Sequence, residues 1–318
     1  MEQIQKTLVE NFGLSYRQAA ALTDTHPCKV WRDIKKSGRN TSIPQAIELL
    51  KSKAGLAVDK DKTNRKVGIT AVNALKRAIK KKDGTYRIIY IQNPWLKKSL
   101  RAKAEKIFQH HAENFPKSLY HLHGFVMNRN CITNAKQHIS KKFTLSLDFR
   151  NFFDTVGKQH LQRMKLDEKI IDKILINNQA KQGLSSSPAA ANLAAARFDE
   201  EILQLIAGTD IVYTRYADDL NFSSDNLELL KSLRPRINKL ARKFHFRINH
   251  EKTRIQSASY GRRIITGVAV DSELHVTRRD QRKLRALQHR LKKEPRNRLL
   301  KSKVRGMREW CSLKEPKV

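Results

Sequence analysis

The spacing of apolar residues changes along the first third of the chain. Residues 1–37 predict short helices, and residues 43–80 predict helix in parts within a strongly basic stretch. The stretch KKKDGTYRIIYI, residues 80–91, predicts a β-hairpin because β-rich residues follow an Asp83-Gly84 turn. Residues 95–115 carry apolar side chains at helical spacing, and they predict an amphipathic helix.

The rest of the chain mixes strands and helices without a regular βαβ alternation. A helix is predicted from Ser187 onward, with Ser187 as its cap and Pro188 in the first helical position. A second helix is predicted between residues 226 and 244, interrupted by Pro235. Strands are predicted within residues 142–148, 210–224, 246–255 and 262–271, and residues 277–318 predict a basic helical tail. This mixture predicts an α+β fold around an antiparallel sheet.

The charge balance points to a polyanionic partner. The chain has 318 residues, 65 of them Lys or Arg against 30 Asp or Glu, which gives a formal net charge of +35. Nucleic acid is the leading candidate for a partner of so basic a protein. A basic surface that serves only solubility is the alternative, although solubility needs far less charge.

Other compartments and cofactor classes receive little support from the sequence. The chain has no apolar run of about 18 residues, as a membrane-spanning helix would need. The first ten residues mix acidic and basic side chains, unlike a signal peptide, so we expect a cytoplasmic protein that does not enter a membrane. Cys28, Cys131 and Cys311 are too far apart in sequence for a zinc motif or a disulfide framework.

Three aspartates are the candidate metal ligands. Asp148 ends the apolar strand FTLSLD, and Asp218 and Asp219 lie side by side at the tip of the later hairpin. These residues can meet if their strands are neighbours in one sheet. Carboxylates without nearby His or Cys favour magnesium or manganese, and two such ions about 4 Å apart can stabilise both oxygens of a phosphoryl transfer. An ordinary solvated Asp-Asp turn is the alternative.

The sequence YADD at residues 216–219, flanked by apolar β residues, resembles the signature of reverse transcriptases. LDFRNFFD resembles the first catalytic motif of that family, QGLSSSP its Gln-Gly-x-x-x-Ser-Pro motif, NHEKT the motif that follows, and KKKDGTYR its fingers hairpin. The resemblance extends from about residue 80 to 268, with the motifs in the family's order.

The resemblance implies a role for each matching residue. Asp148, Asp218 and Asp219 are implied as catalytic metal ligands, and the backbone carbonyl of Phe149 as a further ligand of the second ion. Phe153 is implied as the aromatic gate against a ribose 2′-hydroxyl, which disfavours a template-directed RNA polymerase. The implied nucleotide contacts are Gln182 and Gly183, which lie beside the incoming nucleotide and the template, and Lys252, which lies near the pyrophosphate leaving group. Lys81 and Arg87 of the fingers hairpin are implied as contacts of the triphosphate.

Two further stretches resemble the retron-type bacterial reverse transcriptases. HGFVMNRNCITNAKQH contains their Asn-Ala-x-x-His, here Asn134, Ala135 and His138. RIITGVAVD resembles their Val-Thr-Gly triplet, with Ile265 in place of valine before Thr266 and Gly267. We expect these residues to take part in RNA recognition, with Asn134 and His138 one helical turn apart and facing the same groove. In the basic tail, we expect Arg278, Arg279, Arg282 and Lys283 to bind the RNA backbone.

Such a family implies a right-hand polymerase fold. The expected domains are an N-terminal helical or fingers extension (residues 1–75), fingers (76–145), a palm with an antiparallel sheet (146–268) and a helical thumb (269–318). The implied cofactor is two Mg²⁺ ions, with Mn²⁺ possible. The implied partners are a structured noncoding RNA, its DNA product, deoxynucleoside triphosphates and a separate effector protein.

The retron resemblance implies copying of that RNA into DNA from the 2′-hydroxyl of an internal guanosine, which leaves a branched RNA–DNA molecule used in antiphage defence. One alternative is a reverse transcriptase of the group II intron or diversity-generating type, which usually carries further domains or lacks the Asn-Ala-x-x-His stretch. The other is a noncatalytic RNA-binding scaffold with the same fold, against which the three intact aspartates argue.

Overall fold

The computed structural model describes residues 74–81 and 84–315. The helices expected in residues 1–37 and most of the N-terminal extension therefore lie outside the described residues. The described residues divide into two compact units, one formed by residues 74–81, 84–110 and 156–193 and the other by residues 111–155 and 194–315. Each unit is described separately.

The elements follow one another in an irregular order. The strands are β1 (Ala74–Lys80), β2 (Tyr86–Gln92), β3 (Phe143–Asp148), β4 (Val212–Tyr216), β5 (Asp219–Ser224), β6 (Arg254–Ser257), β7 (Arg263–Ile265), β8 (Val268–Val270) and β9 (Leu274–His275). The α-helices are α1 (Pro94–Asn114), α2 (Pro116–Tyr120), α3 (Cys131–Lys136), α4 (Phe152–Thr155), α5 (Lys158–Arg163), α6 (Glu168–Ile174), α7 (Ser187–Ala194), α8 (Ala196–Leu205), α9 (Leu227–Lys243), α10 (Arg278–Lys293) and α11 (Arg298–Cys311).

The first unit contains the β1–β2 hairpin. The two strands pair antiparallel with Lys80 opposite Tyr86, which confirms the hairpin predicted around Gly84. Residues 74–80 form strand, so the helix expected in parts of residues 43–80 does not include this end. Their sequence ALKRAIK favours helix locally, but each residue finds a backbone partner in β2, and this pairing overrides the local preference.

The second unit is built on a four-stranded antiparallel sheet in the order β4-β5-β3-β6. Leu145 and Leu147 of β3 and Leu220 and Phe222 of β5 are buried in its core. The α+β fold around an antiparallel sheet is therefore confirmed. In this sheet β3 begins at Phe143, three residues before the start expected for the palm.

Helix α9 runs without interruption from Leu227 to Lys243, so the break expected at Pro235 is absent from this helix. Leu230, Leu233 and Ile237 are all buried along one face. The packing of this apolar face outweighs the loss of one backbone hydrogen bond at the proline.

The helix predicted from Ser187 is divided in two. Helix α7 ends at Ala194 and α8 starts at Ala196. Ser187 is the first residue of α7 rather than its cap, since the Ala190 N–H donates to the carbonyl of the preceding Ser186 at 3.0 Å, and the Ser187 hydroxyl donates to the carbonyl of Lys181 at 2.7 Å. The expected capping role of Ser187 was therefore wrong.

A small three-stranded sheet, β7-β8-β9, packs against helix α3. Ile132 and Ala135 of the helix form a buried cluster with Ile265, Val268 and Val270 of the sheet. Helices α10 and α11 follow this sheet in the chain. Within the described ranges, none of the helices combines the length and the apolar character needed to cross a membrane.

Candidate active site

The predicted catalytic aspartates meet at one end of the four-stranded sheet. The pairing of β3 with β5 places Asp148 directly opposite Asp219. Strands β4 and β5 are joined by a two-residue turn, Ala217-Asp218, closed by the pair Tyr216 and Asp219. The backbone N–H of Phe149 donates to the carbonyl of Asp218 at 3.0 Å, which ties the end of β3 to this turn. The strand-neighbour relation expected from the sequence is thus present.

The turn that carries Asp218 has a strained backbone. Ala217 has a φ of 57°, a left-handed conformation that residues with a side chain rarely adopt. The Arg215 guanidinium donates to the Ala217 carbonyl at 3.2 Å. On another side, Gly124 lies so close that an added Cβ would stand 2.3 Å from the Ala217 nitrogen. The surrounding structure therefore holds the strained turn in place.

Arg215 is itself held by a buried ion pair. Its Nη2 lies 2.7 Å from Asp199 Oδ2, and both side chains are almost completely buried. The same carboxylate accepts hydrogen bonds from the hydroxyls of Tyr213 at 2.7 Å and Ser118 at 2.8 Å. Burial alone would lower the pKa of Arg215, but the Asp199 charge and hydrogen bonds raise it, so the guanidinium stays charged.

The aspartate cluster concentrates negative charge. Burial, together with the neighbouring carboxylates of Asp218 and Asp148, raises the pKa of Asp219 to about 7. The Lys252 ammonium lies 3.0 and 3.1 Å from the two oxygens of Asp148. Burial would lower the pKa of Lys252, but Asp148 and then the other two aspartates raise it. A cation bound beside these carboxylates would relieve their mutual repulsion.

The donor chemistry fits a hard divalent ion in an open site. Asp148, Asp218 and Asp219 offer carboxylate oxygens, the ligands that magnesium and manganese prefer. Over residues 74–81 and 84–315, no group of three or more His, Cys, Asp or Glu side chains is arranged so that it could hold a metal ion, so the three aspartates alone do not form a closed ligand set. Magnesium sites that act on nucleotides usually have this open character, because substrate phosphates and water complete the coordination.

The two predicted phenylalanines have different environments. Phe149 is buried in an aromatic cluster, with its ring centroid 5.1 Å from Phe152 and 4.9 Å from Phe246. Phe153 is only partly buried, and its ring makes an edge contact with Phe125. The side chain of Phe149 therefore serves the core, while Phe153 remains available as a gate.

In the first unit, the predicted nucleotide contacts are linked through the hairpin. Lys81 and Arg87 are exposed on it. The Tyr90 N–H donates to the Gln182 carbonyl at 2.8 Å, and Gln92 Nε2 donates to the Gly183 carbonyl at 2.6 Å. Gly183 has a φ of 98°, and a Cβ there would lie 2.3 Å from the Tyr90 carbonyl oxygen. Only glycine fits this close approach, so the Gln182-Gly183 loop is fixed to β2.

The predicted contact of Asn134 and His138 with an RNA groove was wrong in its direct form. Both side chains are fully buried, as is Ile265, and none can touch RNA in this conformation. Asn134 Nδ2 donates to Thr266 Oγ1 at 3.3 Å, and His138 Nε2 lies 2.7 Å from Thr214 Oγ1. Helix α3 also ends at Lys136, so His138 lies beyond it. Asn134 therefore connects α3 to the turn after β7, and His138 connects the residues after α3 to β4.

Thr266 and Gly267 form the two-residue turn between β7 and β8. Their φ values are 47° and 85°, and a type I′ hairpin turn requires positive φ at both positions. Threonine is disfavoured there, but its hydroxyl donates to the Cys131 carbonyl at 3.1 Å and accepts from Asn134. The Asn-Ala-x-x-His stretch and the Ile-Thr-Gly triplet therefore form one structural unit, in which Gly267 is exposed.

The predicted backbone contacts of the tail are accessible. Arg278, Arg279, Arg282 and Lys283 are all exposed on α10. The helix begins after Thr277, whose hydroxyl accepts from the Asp280 N–H. Asp280 Oδ2 in turn accepts from the Trp310 indole at 3.1 Å, which links α10 to α11. The basic face is thus presented on an anchored helix.

Sequence reasoning missed Arg215, Asp199 and Gly124. A signal for the ion pair was available. Arg215 shares a strand face with the apolar Tyr213, and Asp199 lies on α8 at helical spacing from Ala195 and Ile202. Two opposite charges at core positions indicate a buried pair. Gly124 had no comparable signal, because its close neighbour is distant in sequence.

The family described as "Reverse transcriptase (RNA-dependent DNA polymerase)" matches residues 79–302, more than half of the chain. The Retron Mx65 reverse transcriptase of Myxococcus xanthus is 27% identical over 67% of this chain and 54% of its own length. The Retron Ec83 reverse transcriptase of Escherichia coli is 30% identical over 65% of this chain and 72% of its own length. The chain thus spans about half to three quarters of these relatives.

Among solved structures, an apo telomerase from Candida tropicalis aligns with a TM-score of 0.48 and 13% identity, over 67% of this chain and 48% of that one. The family match itself confirms the fold class expected from the motifs.

Proposed function

Since this chain belongs to the reverse transcriptase family and is of the retron type, we propose that it is an RNA-directed DNA polymerase. The observation that carries the proposal is the meeting of Asp148, Asp219 and the Asp218 turn at one sheet end. These carboxylates would hold divalent metal ions, which the family generally uses. We propose two ions, Mg²⁺ or Mn²⁺, with the Phe149 carbonyl as a further ligand.

The bound ions would supply charge stabilisation for the attacking and leaving oxygens of nucleotide addition. The chain's own residues would bind and orient the substrates. Lys81 and Arg87 would contact the triphosphate, and Gln182 and Gly183 would lie beside the incoming nucleotide. Phe153 would exclude a ribose 2′-hydroxyl. Lys252, which lies against Asp148 in the structure, would turn toward the pyrophosphate when metal takes over the carboxylate charge.

The cognate template would be a structured noncoding RNA, copied from the 2′-hydroxyl of an internal guanosine to give branched RNA–DNA. The bacterial retron relatives support this finer proposal, which extends to a cytoplasmic location and an antiphage role with a separate effector protein. The domain boundaries expected from the sequence, with palm at residues 146–268 and thumb at 269–318, belong to the same proposal.

RNA recognition would be shared between two surfaces. The exposed β7–β8 turn at Gly267 would approach the RNA, and the buried Asn134, bonded to the partly buried Thr266, would fix its position. Arg278, Arg279, Arg282 and Lys283 would bind phosphates without sequence preference.

The phosphate-binding role of α10 has a clear expected signature. The logarithm of RNA affinity should fall linearly with the logarithm of salt concentration, with a slope of about −0.9 per phosphate contact on a duplex. Changing the four basic residues of α10 to glutamine should make this slope shallower. An unchanged slope would move the phosphate contacts to another surface.

The central experiment is to express the gene with its upstream flank and isolate small DNA. Branched RNA–DNA is expected from the wild type and should be absent with Asp218→Asn. Extension of an annealed primer without any branched product would favour a group II intron or diversity-generating type. RNA binding with neither product would indicate a noncatalytic scaffold.

A further inference from the structure

The segment before the first catalytic strand contains an exposed phenylalanine with an unusual backbone. Phe125 is 54% exposed, and its φ is 60°. A bulky side chain in the left-handed region is a genuine outlier, and such outliers persist only where the surrounding structure enforces them. Exposure of a large ring also removes the usual reason for accepting strain, because little apolar surface is buried in return.

The surroundings fix this segment against the catalytic turn. The His123 N–H donates to the Arg215 carbonyl at 2.8 Å, and the Arg215 N–H donates to the His121 carbonyl at 3.0 Å. These bonds attach the segment to β4, the strand that leads into the turn. Gly124 then lies against the Ala217 backbone with no space for a Cβ. The position of Phe125 is therefore set by the same backbone that positions Asp218.

Phe125 contacts the candidate sugar gate. Its ring centroid lies 6.2 Å from that of Phe153, with an interplanar angle of 61°, an edge-to-face arrangement. Phe153 also contacts Phe152 at 5.8 Å, but Phe152 is buried beneath it in the aromatic cluster. Phe153 is therefore in contact with one buried ring, Phe152, and one exposed ring, Phe125.

We propose that Phe125 is a positioning residue that holds the Phe153 ring in place and so strengthens the selection of deoxyribonucleotides over ribonucleotides. This inference rests on the proposed polymerase function and on Phe153 as its sugar gate. A gate excludes a hydroxyl only if its ring cannot rotate away. The contact with Phe125 restricts that rotation in addition to the contact with Phe152.

The test compares incorporation of deoxyribonucleotides and ribonucleotides by primer extension with purified full-length protein. Phe125→Ala should reduce the preference for deoxyribonucleotides about three- to tenfold, as expected for loss of one aromatic contact. Phe125→Tyr keeps the ring and should retain the preference. Phe125→Gly relaxes the backbone as well, so an equal loss with glycine and alanine assigns the effect to the ring. Met127→Ala, 80% exposed two residues later, is the matched control.

A second comparison separates this inference from the proposed function. Phe153→Val should lose more of the preference than Phe125→Ala, and the double variant should lose no more than Phe153→Val alone, because both changes act through one ring. Additive losses would overturn the inference. An unchanged preference in Phe125→Ala would overturn it as well, and weakened template binding in that variant would assign Phe125 to base stacking. If Phe153→Val keeps the preference, the inference fails while deoxyribonucleotide polymerisation still supports the proposed function. Absence of polymerisation by the wild type would instead defeat that function.

Discussion

Two hairpin turns in the second unit share an unusual backbone feature, a residue other than glycine with positive φ, but they differ in the side chains that they carry. The Ala217-Asp218 turn and the Thr266-Gly267 turn each join two antiparallel strands through two residues. Each contains a residue other than glycine in the left-handed region, at φ 57° for Ala217 and 47° for Thr266. Each is also held by a side chain, since Arg215 bonds the Ala217 carbonyl and Asn134 bonds the Thr266 hydroxyl.

The difference lies in where the characteristic side chains point. At the first turn Asp218 and Asp219 are only partly buried, and they lie beside Asp148 with concentrated negative charge. At the second turn the characteristic side chains of Asn134, His138 and Ile265 are buried. The motif at the first turn therefore carries partly exposed carboxylates, whereas the motif at the second turn carries side chains packed inside the protein. Burial distinguishes the two.

Removal of a carboxylate from the first turn should have the largest effect. We expect Asp218→Asn to lower primer extension roughly a thousandfold or more, because metal ions contribute several kcal/mol of charge stabilisation to the transition state. Thermal stability should not fall, since the substitution removes repulsion with Asp219. Extension close to the wild-type rate by a folded variant would contradict the assignment.

Removal of the support beneath the first turn should destabilise the protein. Asp199→Asn leaves the Arg215 charge buried without its partner, which should lower the free energy of unfolding by about 3–5 kcal/mol. Denaturant titration measures this loss. The control is Glu201→Gln, which breaks a surface pair with Lys243 and should cost about 1 kcal/mol or less. Equal losses from the two variants would show that the buried pair has no special weight.

The sequence predicted the Ala217-Asp218 turn and the aspartates around it because the pattern that indicates them is local. Asp148 ends one apolar strand, Asp219 begins another, and Asp218 lies in the turn just before it, so these positions could be deduced from the sequence pattern. The link between Asn134 and Thr266 could not, since the residues are far apart and their contact depends on how α3 packs on β7 and β8. The break between α7 and α8 could not be predicted either, because the residues around Ala195 all favour helix.

Weakening the second turn should lower stability moderately. It should also affect synthesis on the cognate RNA more than extension of a generic primer. Asn134→Ala leaves the Thr266 turn without one hydrogen bond, and it should cost about 1–3 kcal/mol of stability. We expect branched product on the cognate RNA to fall more than extension of a generic primer. Thr266→Ser keeps the hydroxyl and should retain both activities.

A double-variant cycle with Asn134→Ala and Thr266→Val tests the contact itself. Residues that share a hydrogen bond should couple by at least about 0.5 kcal/mol. Independent effects, or an equal fall in both activities of Asn134→Ala, would mean that this cluster supports the fold without influencing RNA choice.

The smallest expected effect is a pH dependence of stability that arises from the buried histidines His138 and His123. Burial, then the charge of Arg263 and of His123, lowers the pKa of His138 to about 3, and burial lowers that of His123 to about 4. Both imidazoles are therefore neutral in the folded protein but become protonated in the unfolded chain below about pH 6.5. Their contribution is fully present above that pH and is lost as the pH falls toward the folded pKa values. Between pH 7 and pH 6 each histidine should remove roughly 0.7 kcal/mol.

Asp219 acts in the opposite direction over the same range, since its raised pKa of about 7 lets the folded state bind a proton before the unfolded state does. The informative quantity is therefore the difference between the wild type and His138→Gln, whose amide can still bond Thr214 Oγ1. The variant should lose less stability between pH 7 and pH 6 than the wild type, by one histidine's share. Identical pH profiles would mean that the pKa of His138 is the same in the folded and unfolded states. His138 would then be in contact with solvent in the folded protein, which contradicts its burial.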